Sequence, residues 1–394
     1  MLKAASLHTF EIDDIELAFR DIKEQLDKKL TLSKNSVGII QCDREFIEAG
    51  LPKLLYDELK IPLAGGTTVA SATNGGIGSL MFSMLVLTGD DVEFMVAHTT
   101  GFAQDRTNAI RHSAEMLGQT PLGPPKLALL FSPVVENFSD DFYIEAFEDI
   151  YGKIPIFGTN PVDDNFPDFG RSLAIANDKI LSQELAYVLL CGEVSPRFLV
   201  AAVPVLSDIS ESGATITKSG DNIVYEINDI SAVKYLENLG LAKDGELKTG
   251  VGFLPLLINQ SGRGGSRPYA RALVEIRPDG SAACRGNLPE GAEIAFGSCN
   301  GADVISATVD TVKLALEEKK RSETCAAIIY SCISRQYVVG IDSMKELKQI
   351  QGILSDDVPF LAAYSGVEFS PTETAQKGAA QNHFHNYSLV MCLL

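Results

Sequence analysis

One pattern recurs three times along the chain and restricts its fold more than any other feature: an apolar run built around Ile-Pro or Val-Pro. It reads Ile61-Pro62-Leu63-Ala64-Gly65-Gly66, Ile154-Pro155-Ile156-Phe157-Gly158-Thr159 and Val358-Pro359-Phe360-Leu361-Ala362-Ala363. A repeated unit sets the architecture, so it has to be recognised before any single element. Upstream of each run lies another apolar strand, at 36–42, 126–132 and 325–332, and upstream of that an amphipathic helix. In the first helix Ile15, Phe19, Ile22, Leu26 and Leu30 fall on one face, with Asp13 or Asp14 as the cap. The second carries Ala103, Ile110, Ala114 and Leu117, and the third Ile305, Val309, Val312 and Leu316.

Three short runs precede these helices, at 2–9, 92–99 and 292–299, aligning Leu7-His8-Thr9, Ala97-His98-Thr99 and Gly297-Ser298-Cys299. The unit is therefore strand, helix, strand, helix, Pro-marked strand, then hairpin. That alternation predicts an α/β fold with parallel pairing inside each unit and mixed sheets. A different stretch, 205–289, separates the second unit from the third. It holds a short helix over 231–239, capped by Ser231 and ended by Gly240. It also holds a hairpin, 271–276 with 281–285, turning at Pro278-Asp279-Gly280. The expected boundary lies near Asn228, giving two modules, 1–228 with two units and 229–394 with the insert hairpin region and the third.

A length of 394 residues, with 45% hydrophobic and 22% charged, suits a folded chain of two or three domains. The net charge of -19 repels phosphate backbones and anionic lipid, which argues against nucleic-acid and membrane partners. The longest apolar run, 79–87, is too short to span a bilayer. The N-terminal residues turn acidic instead of apolar, unlike a secretory signal, so a cytoplasmic location is expected. The seven cysteines show no CxxC pair and are expected to be reduced.

Several short motifs together resemble the FIST family, with its N-terminal and C-terminal modules. Gly65-Gly66-Thr67-Thr68 follows an Ile-Pro strand, and Asp163-Asp164-Asn165-Phe166 follows the small residues after the second. Arg271 precedes Asp279-Gly280-Ser281, and Pro289-Glu290-Gly291 follows. Ser331-Cys332-Ile333-Ser334-Arg335, Val367-Glu368-Phe369-Ser370-Pro371 and His385-Asn386-Tyr387-Ser388 complete the set, with Val367 where Gly is usual. The resemblance implies a sensory protein that binds a small ligand such as an amino acid and acts through a separate output partner, with no cofactor and no enzymatic step.

Arg335 and Glu368 are the first candidates for ligand contact, because each follows the C-terminal end of a strand, where α/β sheets bind ligands. A guanidinium fork suits a carboxylate and a carboxylate suits an ammonium, so the pair fits a zwitterion, although a simple rim ion pair explains them equally. Arg271, near Arg263 and Arg267 in a Gly-rich stretch, is the next, with Cys332, Tyr364 and Asn386 as neighbours. Two other classes compete. Gly297-Ser298-Cys299-Asn300-Gly301 resembles a nucleophile elbow, with Asp342 or Asp356 and then His383 or His385 in hydrolase order, but the repeat makes it a structural turn. His383 and His385, two apart on a strand, point the same way and suit a metal or haem iron, though no third ligand accompanies them. Gly75-Gly76-Ile77-Gly78 lacks the Gly-Lys-Ser/Thr of a phosphate loop and reads as a hairpin turn.

Overall fold

The computed structural model describes residues 2–134, 139–164, 171–202, 213–250, 254–259, 269–297, 300–321, 324–354, 358–373 and 380–394. The first unit runs β1 (Lys3–Thr9), α1 (Ile15–Lys29), β2 (Asn35–Cys42), α2 (Arg44–Glu48), α3 (Leu51–Leu59), β3 (Leu63–Thr67), β4 (Ser71–Thr73), β5 (Ile77–Gly78) and β6 (Phe82–Gly89). The second runs β7 (Val92–His98), α4 (Arg106–Leu117), β8 (Pro125–Phe131), α5 (Asp141–Tyr151), β9 (Ile156–Thr159), β10 (Ala174–Ala176), β11 (Lys179–Leu181) and β12 (Ala186–Gly192). The third opens with β13 (Arg197–Ala201) and is interrupted by an inserted subdomain. That insert comprises β14 (Ala214–Gly220), β15 (Ile223–Ile227), β16 (Ile230–Ser231), α6 (Ala232–Asn238), β17 (Ala242–Lys243), β18 (Glu246–Leu247), β19 (Leu256–Asn259), β20 (Tyr269–Ile276), β21 (Ala282–Arg285) and β22 (Glu293–Phe296). The unit resumes with α7 (Gly301–Arg321), β23 (Ala327–Cys332), α8 (Ile333–Val339), α9 (Lys345–Leu354), β24 (Phe360–Ser365), β25 (Glu368–Glu373), β26 (Ala380–His385) and β27 (Leu389–Leu393).

The fold is α/β, with three mixed sheets of one design. Their strand orders are β1-β6-β2-β3-β10-β11, β7-β12-β8-β9-β25-β26 and β13-β27-β23-β24-β4-β5. Among the described strands only the central pair of each unit, β2 with β3, β8 with β9 and β23 with β24, is parallel. The hairpins are exchanged in a ring: the second unit's completes the first sheet, the third unit's the second, and the first unit's the third. The crossings are sewn by backbone bonds from Val162 N to Thr67 O (3.1 Å), Gly366 N to Asn160 O (3.0 Å) and Tyr364 N to Ala70 O (3.1 Å).

The apolar strands read as continuous runs because both faces are covered. One face of all three sheets joins a common core, to which Val37 and Leu85, Leu129 and Val188, and Ile328 and Val390 each contribute. The other faces pack under helices: Ile22 and Leu55 over the first sheet, Ile110 and Phe147 over the second, Val312 and Ile350 over the third. Each such buried side chain stabilises by about 1.5–3 kcal/mol. Asp14 caps α1 by accepting from the amides of Glu16 and Leu17. Among the described residues no helix is long and apolar enough to cross a membrane.

Two expectations are corrected. The first strand of the third unit is β13, which pairs antiparallel with β27 as β1 does with β6 and β7 with β12. The run 292–299 instead supplies β22, which lies in the insert sheet between β14 and β19. The third sheet therefore begins upstream of residue 228, and the insert separates its first strand from α7. Second, the buried face of α7 is Val304, Thr308, Val312 and Ala315, one residue off the apolar stripe through Ile305 and Val309. Thr308 turns inward because its hydroxyl has a partner there. The insert hairpin forms as expected, with Gly280 at φ +80 in its turn, and so does the small β4–β5 hairpin at Gly75-Gly76.

Candidate functional site

In register, the ends of the parallel strands present Cys42 opposite Thr67, Phe131 opposite Thr159 and Cys332 opposite Ser365. The third end carries a buried guanidinium and two buried carboxyls, Arg335, Glu346 and Glu368. Ser331 and Cys332 are consecutive, so their side chains leave the strand in opposite directions. The Ser331 hydroxyl donates to Glu346 Oε2 at 2.7 Å. Arg335, in the helix that follows, donates Nε and Nη2 to Glu346 Oε1 at 3.0 and 2.8 Å, and Nη2 to Thr308 Oγ1 at 2.9 Å. Thr308 in turn donates to Glu346 Oε1 at 2.6 Å, and Arg335 Nη1 reaches the Tyr387 carbonyl at 3.3 Å. The phenol of Tyr364 donates to Ser343 O at 2.9 Å. Arg335 is 1% exposed and Glu346 0%.

On the other side of the strand end, Glu368 Oε1 accepts from Ser365 Oγ at 2.5 Å and Oε2 from Ser388 Oγ at 3.0 Å. Cys332 Sγ lies 3.8 Å from the Gly366 carbonyl. Burial pushes the Glu368 carboxyl up to about 8, against the two serine bonds and the Arg335 charge. Burial, then the neighbouring Glu368, pushes the Cys332 thiol up to about 12. At neutral pH the thiol is protonated and inert.

Arg335 thus faces Glu346, and Glu368 faces two serines. Arg335 and Glu368 are close enough to influence each other, yet each has its own partners and both are sealed from solvent. Of the six residues the sequence singles out, Cys332, Arg335, Tyr364 and Glu368 belong to these networks. The other two, Arg271 and Asn386, lie at a joint between the insert sheet, α5 and β26.

Arg271 on β20 is sandwiched between the rings of Tyr269 (4.5 Å) and Phe384 (5.6 Å). Its Nη1 donates to the carbonyls of Ala270 (3.2 Å) and Phe384 (3.0 Å), and its Nε to Asn287 O at 3.3 Å. Its Nη2 stands 3.7 Å from Asp141 Oδ2, the long end of an ion pair. Gly286, at φ +97, leaves the room: a Cβ there would fall 2.6 Å from Arg271 Nε. Asp141 Oδ2 also accepts from the Asn287 amide at 2.7 Å, tying α5 to the loop after β21. Asn386 Oδ1 accepts from Ala272 N at 2.8 Å.

The hydrogen bonding of this joint is incomplete. Asn386 Nδ2, Asn287 Oδ1 and both carboxyl oxygens of Asp140 are buried with no hydrogen-bond partner among the described residues. Asp140 occupies the capping position of α5, but its backbone is helical (φ -67) and its side chain caps nothing. Ser139 bonds the end of that helix instead, accepting from Asp141 N at 3.3 Å. Asp140 is 1% exposed, and burial pushes its carboxyl up to about 7, opposed by Arg285 and reinforced by Asp141.

The histidine pair sits beside this joint, with ring centroids 6.0 Å apart. Burial takes His385 down to about 3, a neutral ring whose Nε2 lies 3.1 Å from Ser370 O. Among the described residues no group of three His, Cys, Asp or Glu is placed to hold a metal ion. Cys299, Asp356, Arg263 and Arg267 lie outside the described residues. Asp342 is on the surface and accepts from Lys348 at 3.2 Å.

Sequence reasoning missed Glu346, Thr308, Asp140 and Asn287. Glu346 looks like any surface charge on an amphipathic helix, and Asp140 like an ordinary cap. Ser388 stood within a quoted motif, and Ser365 closes the third Pro-marked strand.

Residues 13–230 match the FIST N domain and residues 232–371 the FIST C domain. No curated protein sequence matches the chain. A solved structure described as "Cyanuric acid hydrolase: evolutionary innovation by structural concatenation" is similar at 10% identity and a TM-score of 0.30, over 100% of this chain and 99% of that one.

Proposed function

The chain belongs to the FIST family, and on that premise we propose that it is a cytoplasmic sensor that binds a small ligand without chemistry and signals through a separate protein. The ligand class is an amino acid or small carboxylate. One observation carries the placement of its site: Arg335 and both Glu368 carboxyl oxygens have bonded partners, whereas three residues around Arg271, Asp140, Asn287 and Asn386, hold buried polar atoms with no partner among the described residues. Buried polar groups in native proteins are nearly always paired, so such atoms mark where a ligand or water belongs. Arg271 lies against two rings and is held by carbonyls, and its Nη2 makes only a long 3.7 Å pairing with Asp141, which a ligand carboxylate would share or displace.

The joint also suits signalling. It connects the insert sheet to the second unit through Asp141, Asn287 and Arg271, so a ligand there would favour one placement of the insert over another. A ligand shifts such an equilibrium only by its difference in affinity for the two arrangements. The test is a thermal-shift screen of amino acids and small carboxylates, since a ligand that binds only the native form raises the melting temperature. Arg271→Lys keeps the charge but loses the planar fork, and should weaken a stabilising carboxylate about tenfold. A library without any stabilising compound, or equal stabilisation of Arg271→Lys, counts against this reading.

A further inference from the structure

We propose that Asn74, Asn177 and Asn382 are register locks for the exchanged hairpins, each reading the peptide groups beside the proline of the strand it joins. They need no ligand and stand apart from the sensor reading. The hairpins that cross between units meet their new sheets over very short ladders. Three residue pairs join β10 to β3, three join β4 to β24 and two join β25 to β9. So short a ladder resists slipping poorly, and a slip of one residue turns every side chain to the wrong face. Something beyond the ladder has to fix the alignment, and an asparagine stands at each crossing.

At the third sheet, Asn74 Oδ1 accepts from Phe360 N at 3.0 Å and its Nδ2 donates to Val358 O at 2.9 Å, straddling Pro359. At the second, Asn382 Oδ1 accepts from Ile156 N and its Nδ2 donates to Ile154 O, both at 2.8 Å, straddling Pro155. A further bond from Asn382 Nδ2 to Glu148 Oε1, 2.9 Å, ties this lock to α5. At the first, Asn177 Oδ1 accepts from Leu63 N, just after Pro62, at 3.2 Å, and the backbone amide of Asn177 donates to Leu63 O at 2.7 Å. The prolines explain the form of these contacts. Each lacks an N–H, and its own carbonyl is taken by the neighbouring parallel strand, from the amide of Gly38, Ala128 or Ala327. The amide after the proline and the carbonyl before it remain for the crossing hairpin, and a carboxamide carries an acceptor and a donor side by side. The preference of asparagine for turns covers only Asn177, at φ +56, since Asn74 and Asn382 have no positive φ. Nor do the three share one place in the hairpin. Asn74 and Asn177 directly follow the first strand, whereas Asn382 lies on the second, opposite Pro371. There the β25–β9 ladder stops at Phe369 and Gly158, and Asn382 bonds Ile156 from one strand further out.

The test is hydrogen exchange of the full chain, read by mass spectrometry of its peptides. Asn74→Ala should speed exchange about tenfold at the start of β24, Asn177→Ala at the start of β3 and Asn382→Ala at the start of β9, each leaving the other two junctions unchanged. An aspartate series separates a lock from a space filler, because the shape is kept while the donor is lost. Asn74→Asp and Asn382→Asp set a carboxylate against the carbonyls of Val358 and Ile154, and should loosen their junctions as alanine does. Asn177→Asp keeps both bonds to Leu63 and should exchange like the wild type. Where one of these variants does not fold, Asn74→Ser, Asn177→Ser or Asn382→Ser, with a side chain too short to reach the joined strand, is read in its place. Exchange at the wild-type rate in the joined strand, or loosening spread equally over all three junctions, overturns the proposal. So does an Asn177→Asp chain as loose at its junction as Asn74→Asp is at its own.

Discussion

The first and third units share one topology and differ in what fills the layer between the strand end and its helices. In the first, Phe46 after β2 stacks edge-on with Phe82 at 5.8 Å, and Leu51 and Leu55 complete an apolar layer. In the third, the corresponding helices α8 and α9 put a buried arginine and a buried glutamate there, with Thr308 and Ser331 as further partners. The fold therefore does not require ions at that place. A buried ion pair is weak support for stability, because desolvation offsets its attraction. What the pair adds is directional: Arg335 ties α7, α9 and the Tyr387 carbonyl to one geometry.

The largest test of that comparison is to make the third unit resemble the first. Arg335→Met or Glu346→Leu alone leaves an uncompensated charge and should cost about 3–5 kcal/mol. The double replacement should recover most of that loss in urea denaturation. If the double variant is as unstable as the singles, the apolar solution of the first unit does not transfer. A second contrast runs along the parallel strands, where Gly65, Gly158 and Ala363 face Ile40, Leu130 and Tyr330 in register. A Cβ at Gly158 would fall 2.3 Å from the Leu130 carbonyl oxygen. Gly158→Ala should cost about 1–3 kcal/mol by forcing the strands apart. Ala363→Gly, with room already present, should cost about 0.5–1 kcal/mol; equal losses would mean that the units are spaced alike.

The last contrast is a slope. Burial pushes the Glu368 carboxyl up to about 8 from an ordinary 4.5, so the folded form holds the proton more tightly. Its contribution is fully present below pH 4.5 and is lost as pH rises through 8. Glu368→Gln should flatten the fall in melting temperature across that window, and an unchanged slope would mean that the carboxyl is already ionised at neutral pH.

The repeat was legible because its signals are local. Proline-marked strands, apolar runs and helix stripes need only neighbours in sequence to be read, and they placed β2, β3, β8, β9, β23 and β24. The exchange of hairpins was not legible: β4 and β25 carry the same hairpin signature whichever sheet they join, and their partners lie hundreds of residues away. β13 was missed for a related reason, since the insert places almost a hundred residues between it and α7. At the site, Arg335 and Glu368 were correctly read as strand-end residues, but the partner of Arg335 sits on a helix whose pattern marks Glu346 as solvent-facing. Asn386 and Arg271 did come together at one joint, bridged by the bond from Ala272 N to Asn386 Oδ1.

The ring of exchanged hairpins has a consequence for how the protein is made. While the ribosome has delivered only the first two units, β9 has no β25 beside it and the β4–β5 ribbon has no β24 to join. Both unpaired edges stay open to neighbouring chains until the last hundred residues emerge. Synthesis thus leaves the amino-terminal half waiting on the carboxy-terminal one, and a fragment ending near residue 230 should be sticky where the whole chain is not.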